Sequence, residues 1–333
     1  MMTALPMESL NWKLQTNMNA NDYLSKEEIQ EFLQKSDLKA AFEIADTWFW
    51  IIASFVLVVL WTNPITIFLA LWIIGGKQLA CAIIMHDTSH HALFKSKQAN
   101  VVIGNLFGGY PLFIDLERYR PYHLSHHSHT GQDNDPDLGL TTGYPAGKKS
   151  FVRKVLRDLI GLTGLKAFFG LMMIQSGLIK FTLGGSKPEW LPKEERKGLY
   201  HFVIFFKNMG LPLVMNFLIW GVLWLTGNGW LYLLWIGAYF TTYQFCLRIR
   251  SIAEHSVVPD RTDNHTNTRT TYANVIEKML FAPHHVNYHA EHHLLMTVPS
   301  YNLPKMHKLL KARGFYEKGL LKRNYVEIIK LAA

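Results

Sequence analysis

Four apolar runs constrain the fold of this chain more than any other feature. Residues 47–61 read TWFWIIASFVLVVLW and residues 65–85 read ITIFLALWIIGGKQLACAIIM. Residues 209–225 read MGLPLVMNFLIWGVLWL and residues 230–247 read WLYLLWIGAYFTTYQFCL, and the four together hold one charged residue, Lys77. A bilayer core of about 30 Å needs roughly 20 helical residues, so each run spans if its ends extend a little. They fall in two pairs, joined by TNP at 62–64 and TGNG at 226–229. The pattern predicts two transmembrane hairpins.

The remaining segments are less apolar. Residues 101–114, VVIGNLFGGYPLFI, are too short to span and contain Gly and Pro, which reads as a re-entrant segment. Residues 159–184 are moderately apolar and interrupted by Gly, as an interfacial helix would be. Before the first run, SKEE fits a capping box with Ser25 as N-cap and Glu28 three residues on. A helix from there towards Ala45 would carry Leu33, Leu38, Phe42 and Ile44 on its apolar side, against the membrane surface or the catalytic lobe. Nothing at the N-terminus has the apolar core of a signal peptide. The expected organisation is an N-terminal cytosolic or interfacial segment (1–45), a membrane catalytic domain (46–310) and a cytosolic tail (311–333).

Charge sets the orientation. The formal net charge is +9, yet neither hairpin loop contains any of the 34 Lys and Arg residues. By the positive-inside rule, both termini and the long loops are then cytosolic. Contact with anionic lipid headgroups accounts for the basic excess, and no nucleic-acid partner is needed. The only cysteines, Cys81 and Cys246, lie in separate apolar runs, which excludes a disulfide framework and a cysteine metal site. Lys77 has two open readings, a snorkelling side chain or a polar residue lining a cavity. Gln78 is better placed for the second, because 78, 82, 86 and 90 share one helix face.

The histidines carry the chemistry. HDTSHH (86–91) directly follows the second run, and the i, i+4 spacing of His86 and His90 points both imidazoles at one place. HLSHH (123–127) and HAEHH (289–293) repeat the pattern H-x-x-H-H. With 16 His in 333 residues, chance predicts roughly 0.04 copies of it, against the two present. His86, His90, His123, His126, His127, His289, His292 and His293 make eight imidazoles, twice what one tetrahedral ion needs. Two metals are therefore implied. His255, in RIRSIAEHS after the fourth run, is a ninth candidate. Imidazole suits Fe, Cu, Ni and Zn alike. Iron is favoured by context, since a dimetal site beside a lipid-facing cavity suits O₂ chemistry on unactivated C–H bonds.

Neutral imidazoles leave the metal charge uncancelled, so carboxylates are expected behind them, fixing each tautomer. Asp87, Glu254 and Glu291 stand beside box histidines. DNDPD (133–137) reads first as a solvated turn. His91, His129, His284 and His285 are surplus, as neighbours of the site. The fold class is thus an all-α integral membrane protein: two helical hairpins making four spans, re-entrant and interfacial helices, and a cytosolic helical cap holding a dimetal site.

HDTSH, HLSHH and HAEHH around two hairpins resemble the three histidine boxes of membrane fatty acid desaturases and related hydroxylases. YHAEHHLLMTVPSYNLPKMHKLL (288–310) is similar to the third-box region of that superfamily, and RIRSIAEHS to its extra-ligand segment. The resemblance covers roughly residues 45–310. It implies a di-iron, O₂-dependent enzyme that takes hydrogen from a methylene group of an acyl lipid. Alternatives within the superfamily are hydroxylases and ketolases of fatty acids, alkanes, sphingolipids or carotenoids. A membrane metal transporter or sensor is remote, because transporters hold ions at mid-membrane. The third box begins with His289, where several front-end desaturases carry Gln. No dinucleotide motif, cysteine cluster or HPGG segment is present, so an external donor is expected: ferredoxin, rubredoxin, or cytochrome b5 with its reductase. Arg118, Arg120, Arg248 and Arg250 are candidates to receive it or, equally, to contact lipid headgroups.

Overall fold

The computed structural model describes residues 18–183 and 189–333. The first 17 residues of the expected N-terminal segment, and the last residue of the expected interfacial stretch, lie outside the described residues.

The N-terminal helix forms as a capping box and then stops. Ser25 and Glu28 cap α1 (Lys26–Phe32) reciprocally. Asn302 then takes the carbonyls of Phe32 and Gln34, and Tyr301 Oη accepts the Ser36 amide. A second cap, Ser36, starts α2 (Asp37–Leu60). The expected single helix from 26 to 45 is therefore two, and α2 runs unbroken through position 45 into the first apolar run. Its expected apolar side is split: Ile44 is buried, whereas Leu38 and Phe42 face outward.

Asn63 caps α3 (Pro64–Ser89), with Pro64 at the first helical position, where no amide is required. At 26 residues α3 is about 39 Å long, longer than a bilayer core. It is the central helix of the bundle, and Ile74 to Met85 are almost all buried. Close packing needs Gly75, since a Cβ there would lie 2.2 Å from Thr242 Oγ1. Lys77 is 5% exposed and paired with Asp46 at 2.7 Å. Gln78 donates to the Trp235 carbonyl at 2.8 Å. Lys77 is thus paired within the bundle, whereas Gln78 has its amide donor met and its Oε1 buried without a partner.

The 101–114 segment is bent. α4 (Lys97–Gly104) passes through a π-turn (Asn105–Gly109) and a 3₁₀ turn (Tyr110–Leu112). It then turns by 89° into α5 (Leu116–His129). Asn105 anchors the bend by accepting the Leu116 amide. α6 (Leu138–Thr141), α7 (Lys148–Leu159) and α8 (Leu162–Gln175) follow, then the long α9 (Gly198–Leu225).

The fourth run departs from expectation. A 3₁₀ turn (Gly229–Leu231) leads to α10 (Tyr232–Phe240), and the chain breaks at Thr241 (φ −115°, ψ −90°) before α11 (Thr242–His255). The cause is local competition for carbonyls. Thr241 Oγ1 donates to the Gly237 carbonyl, Thr242 Oγ1 to Leu71 and Gln244 to Tyr239. Among the described residues, three helices (α2, α3, α9) are each long and apolar enough to cross a membrane. The bent pair α4–α5 supplies a fourth apolar passage if counted as one.

The polar end is closed by β1 (Arg269–Thr271), α12 (Val275–Leu280), α13 (His289–Leu294), α14 (Leu303–Ala312), β2 (Leu320–Lys322) and α15 (Tyr325–Ala332). β1 and β2 pair in parallel, Arg269 opposite Leu320, a small sheet in an otherwise helical fold. Leu303, Met306, Leu310 and Phe315 bury against Ala290 and Val298, which seats α14 on α13. Tyr325, Ile328 and Ala332 pack on α11, so the C-terminal segment is part of the body.

Candidate metal centre

Four helix ends converge at the polar end of the bundle. α3 brings His86, with His90 at its C-cap. α5 brings His123, His126 and His127, α11 ends on His255, and α13 carries His289, His292 and His293. All nine histidines singled out in the sequence fall into three adjoining groups. One holds His86, His90, His123, His127 and His292; the second His126, His255 and His293; the third His255, His289 and Glu254. Within each group the potential ligand atoms lie within 4.8 Å of one another. His127 stacks on His293, with ring centroids 4.3 Å apart, where the five-histidine group meets its neighbour.

The nitrogen contacts cannot all be hydrogen bonds. Nε2 of His123 lies 2.9 Å from Nε2 of His90 and 3.1 Å from Nε2 of His127. Nε2 of His127 also lies 3.1 Å from Nε2 of His292. A neutral ring nitrogen offers one in-plane proton or one lone pair, so the two doubly approached atoms exceed what protons can satisfy. His86 Nε2 and His293 Nε2 are buried with no partner. Two nitrogens about 2.1 Å from a shared ion and a right angle apart sit about 3.0 Å from each other. The donor set therefore fits cations.

Acceptors behind the rings set the tautomers. His255 Nδ1 donates to the Asn267 carbonyl at 3.0 Å, so its proton is there and its Nε2 lone pair faces His289 Nε2 at 2.8 Å. His86 Nδ1 donates to Asp87 at 2.7 Å and His126 Nδ1 to Asp135 at 2.8 Å. Glu254 lies 3.4 Å from His289 Nδ1 and 2.5 Å from Arg250 Nε. Burial pushes Glu254 up to about 7, against the pull of Arg250. Burial likewise pushes His255 down to about 3. It holds His289, His292 and His293 well below the usual imidazole value, with neighbouring rings adding to the effect. The rings stay neutral, which is the form that binds metal.

Sequence reasoning placed some groups wrongly. Asp135, in the DNDPD stretch read as a solvated turn, is buried and takes the His126 proton. It also accepts the Gly131 and Asp137 amides. The aspartate-rich composition was a signal, but the turn and the acceptor are the same residue. Glu291 reaches none of the nine histidines through its hydrogen bonds. Residues two apart do not share a helix face, and its carboxylate instead accepts from Thr270, His307 and Tyr316. It braces α13 from behind. His307, which nothing in the boxes marks, is buried there.

The surplus histidines stand outside the three groups. His91 meets Arg120, and His129 Nδ1 donates to the Ser125 carbonyl. His284 bonds Thr47 Oγ1 at 2.8 Å, and both His284 and His285 have positive φ. Arg269 was also missed. Its guanidinium donates to the carbonyls of Ala253, Ser256 and Val257, capping the end of α11 that presents His255.

Comparison with known proteins agrees with this arrangement. The family description "Fatty acid desaturase" matches residues 59–325. The dihydrorhizobitoxine desaturase of Bradyrhizobium elkanii is 28% identical over 78% of this chain and 70% of its own length. An sn-1 oleoyl-lipid 12-desaturase of a Picosynechococcus species is 24% identical over 74% of this chain and 70% of its own. A chloroplastic omega-6 fatty acid desaturase of Glycine max is 24% identical over 69% of this chain and 52% of its own.

Proposed function

The chain belongs to the fatty acid desaturase family, and from that premise we propose that it is an O₂-dependent desaturase of acyl lipids with a histidine-held di-iron centre. The observation that carries this reading is the convergence of nine imidazoles in adjoining groups at the ends of apolar helices. His86, His90, His123, His127 and His292 would hold one iron, and His126, His255, His289 and His293 the other. Bound there, the pair would supply the O₂ reduction that takes two hydrogens from adjacent methylenes.

The chain's own residues prepare that site. Asp87, Asp135 and the Asn267 carbonyl hold protons at Nδ1 of His86, His126 and His255, leaving each Nε2 lone pair turned to the cluster. Burial of the rings keeps bulk water from the cluster. Met85, Leu112, Phe113 and Tyr239 belong to the buried apolar core from which α3 runs to the histidines. The arginine- and lysine-free hairpin breaks support a cytosolic polar end. Electrons would come from a ferredoxin, a rubredoxin, or cytochrome b5 with its reductase.

Lipid mass spectrometry of a host with and without the gene tests this. The expected product has lost two hydrogens and is absent in His126→Ala and His292→Ala. A product that gains one oxygen would make the enzyme a hydroxylase, and an unchanged profile would remove the desaturase reading.

A further inference from the structure

Where electrons enter is a second question, and the inference below rests on the desaturase reading. The arginines expected to receive a donor are engaged inside the protein. Arg118 bonds Gln175, Arg120 meets His91, Arg248 is held by Asp158 and Tyr144, and Arg250 faces Glu254. A different surface is basic. From Leu303 to Arg323 the chain carries seven Lys and Arg against one acid, Glu317. Lys305, Lys308 and Lys311 repeat at three-residue spacing on the exposed side of α14. Glu31 neutralises Lys305, whereas Lys308 has no ion pair among the described residues. None of the large exposed hydrophobics lies between 303 and 323, so this face lacks the apolar side chains that insert into a bilayer.

Beneath it, aromatic rings lead inward. Lys311 Nζ donates to Tyr272 Oη at 2.9 Å, and Tyr272 Oη donates to His307 Nε2 at 3.0 Å. The His307 ring lies 5.4 Å from Tyr272 and 4.9 Å from Tyr288, centroid to centroid. Tyr288 is the chain neighbour of His289. The path runs from an exposed lysine to a residue of the metal centre in three rings.

We infer that the Lys305–Lys308–Lys311 face of α14 is the docking surface of an acidic one-electron carrier protein, whose electrons pass by Tyr272, His307 and Tyr288 to His289. The balance closes. Each encounter oxidises one carrier by one electron, and two encounters supply two electrons. The substrate gives up two electrons and two protons, and O₂ takes all four electrons with those two protons and two more from solvent to leave two waters.

The test uses the full protein in nanodiscs with a reduced plant-type [2Fe–2S] ferredoxin. Lys308→Glu, which leaves the Lys311–Tyr272 bond in place, should raise the KM for ferredoxin several-fold and weaken its dependence on ionic strength, because docking charges act on encounter. Turnover driven by dithionite and methyl viologen should not change. Tyr272→Ala should lower kcat at saturating ferredoxin and leave KM in place. An unaltered KM in the charge-reversed protein overturns the proposal. So does an effect confined to phosphatidylglycerol nanodiscs and missing in phosphatidylcholine, which assigns the face to headgroups. Ferredoxin binding by surface plasmon resonance reads the same surface without turnover. A wild-type protein that binds ferredoxin at this face but makes no product with either reductant keeps the docking surface and removes the desaturase reading.

Discussion

His126 donates its Nδ1 proton to Asp135 across 2.8 Å, in a stretch whose sequence looks like an ordinary polar turn. Two backbone amides hold the carboxylate in place, so the acceptor that orients the ring is itself fixed. Asp135→Asn removes the charge and keeps the shape. We expect a loss of about 10- to 100-fold in metal affinity, as for other groups behind a metal ligand. Chelator competition on purified protein measures it, and an affinity equal to wild type would reject this role for Asp135.

His255 and His129 make a matched pair of controls. His255 belongs to two of the three groups, whereas His129 donates to its own helix and joins none. His255→Ala should therefore reduce bound iron from about two to about one per chain, while His129→Ala keeps both. Elemental analysis separates the two, and equal losses in both variants would argue for general unfolding instead.

Arg269 is 2% exposed and donates to four carbonyls at the end of α11, those of Ile252, Ala253, Ser256 and Val257. Arg269→Met leaves those acceptors buried and unmet, a cost of about 2–4 kcal/mol. The unfolding midpoint in detergent should fall, and iron should dissociate faster from the group containing His255. Arg269→Lys should recover part of both, because a cation at a helix C-terminus remains favourable. Identical behaviour of the Met and wild-type proteins would refute the cap.

Glu291 makes a comparable case behind α13. Replacing it with Leu strands Thr270, His307 and Tyr316 in a buried network. Destabilisation of about 3 kcal/mol or more is expected. Protease should cut near 289–294 sooner than in wild type, and an unchanged cleavage pattern would show that α13 holds without this brace.

The metal-free protein should lose stability in acid. Burial lowers His255 to about 3 and holds His289, His292 and His293 well below their ordinary 6.5. Unfolded rings take up protons near pH 6.5, while the folded ones do not. Below that pH the unfolded state therefore binds more protons than the folded one: stability is full above about pH 6.5 and falls as pH drops towards the lowered values. Metal should oppose the loss, since it binds the neutral rings. Unfolding midpoints of metal-free protein between pH 7.5 and 5 measure this, and a flat profile would contradict it.

Much of this molecule was legible because its signals are local. Apolar runs announce helices in lipid, and i, i+3 and i, i+4 spacing gathers histidines on one helix face whatever surrounds it. The eight box histidines are of that kind, whereas His255 stands alone in its segment. The break at Thr241 was not legible, since hydroxyls must find carbonyls at Gly237 and on α3 to displace the helix. Neither was the division of α5's histidines, where His123 and His127 face one group and His126 the other.

By itself, then, the sequence determined the helical class, the histidines able to bind metal and the family they resemble. Tertiary structure decided which ring meets which, that Asp135 and the Asn267 carbonyl hold protons, and that Glu291 turns to His307. Those partners lie from 9 to 16 residues away in the chain. Only the packing of separate helices and loops brings them within hydrogen-bond reach, and no periodicity within a single helix encodes that distance.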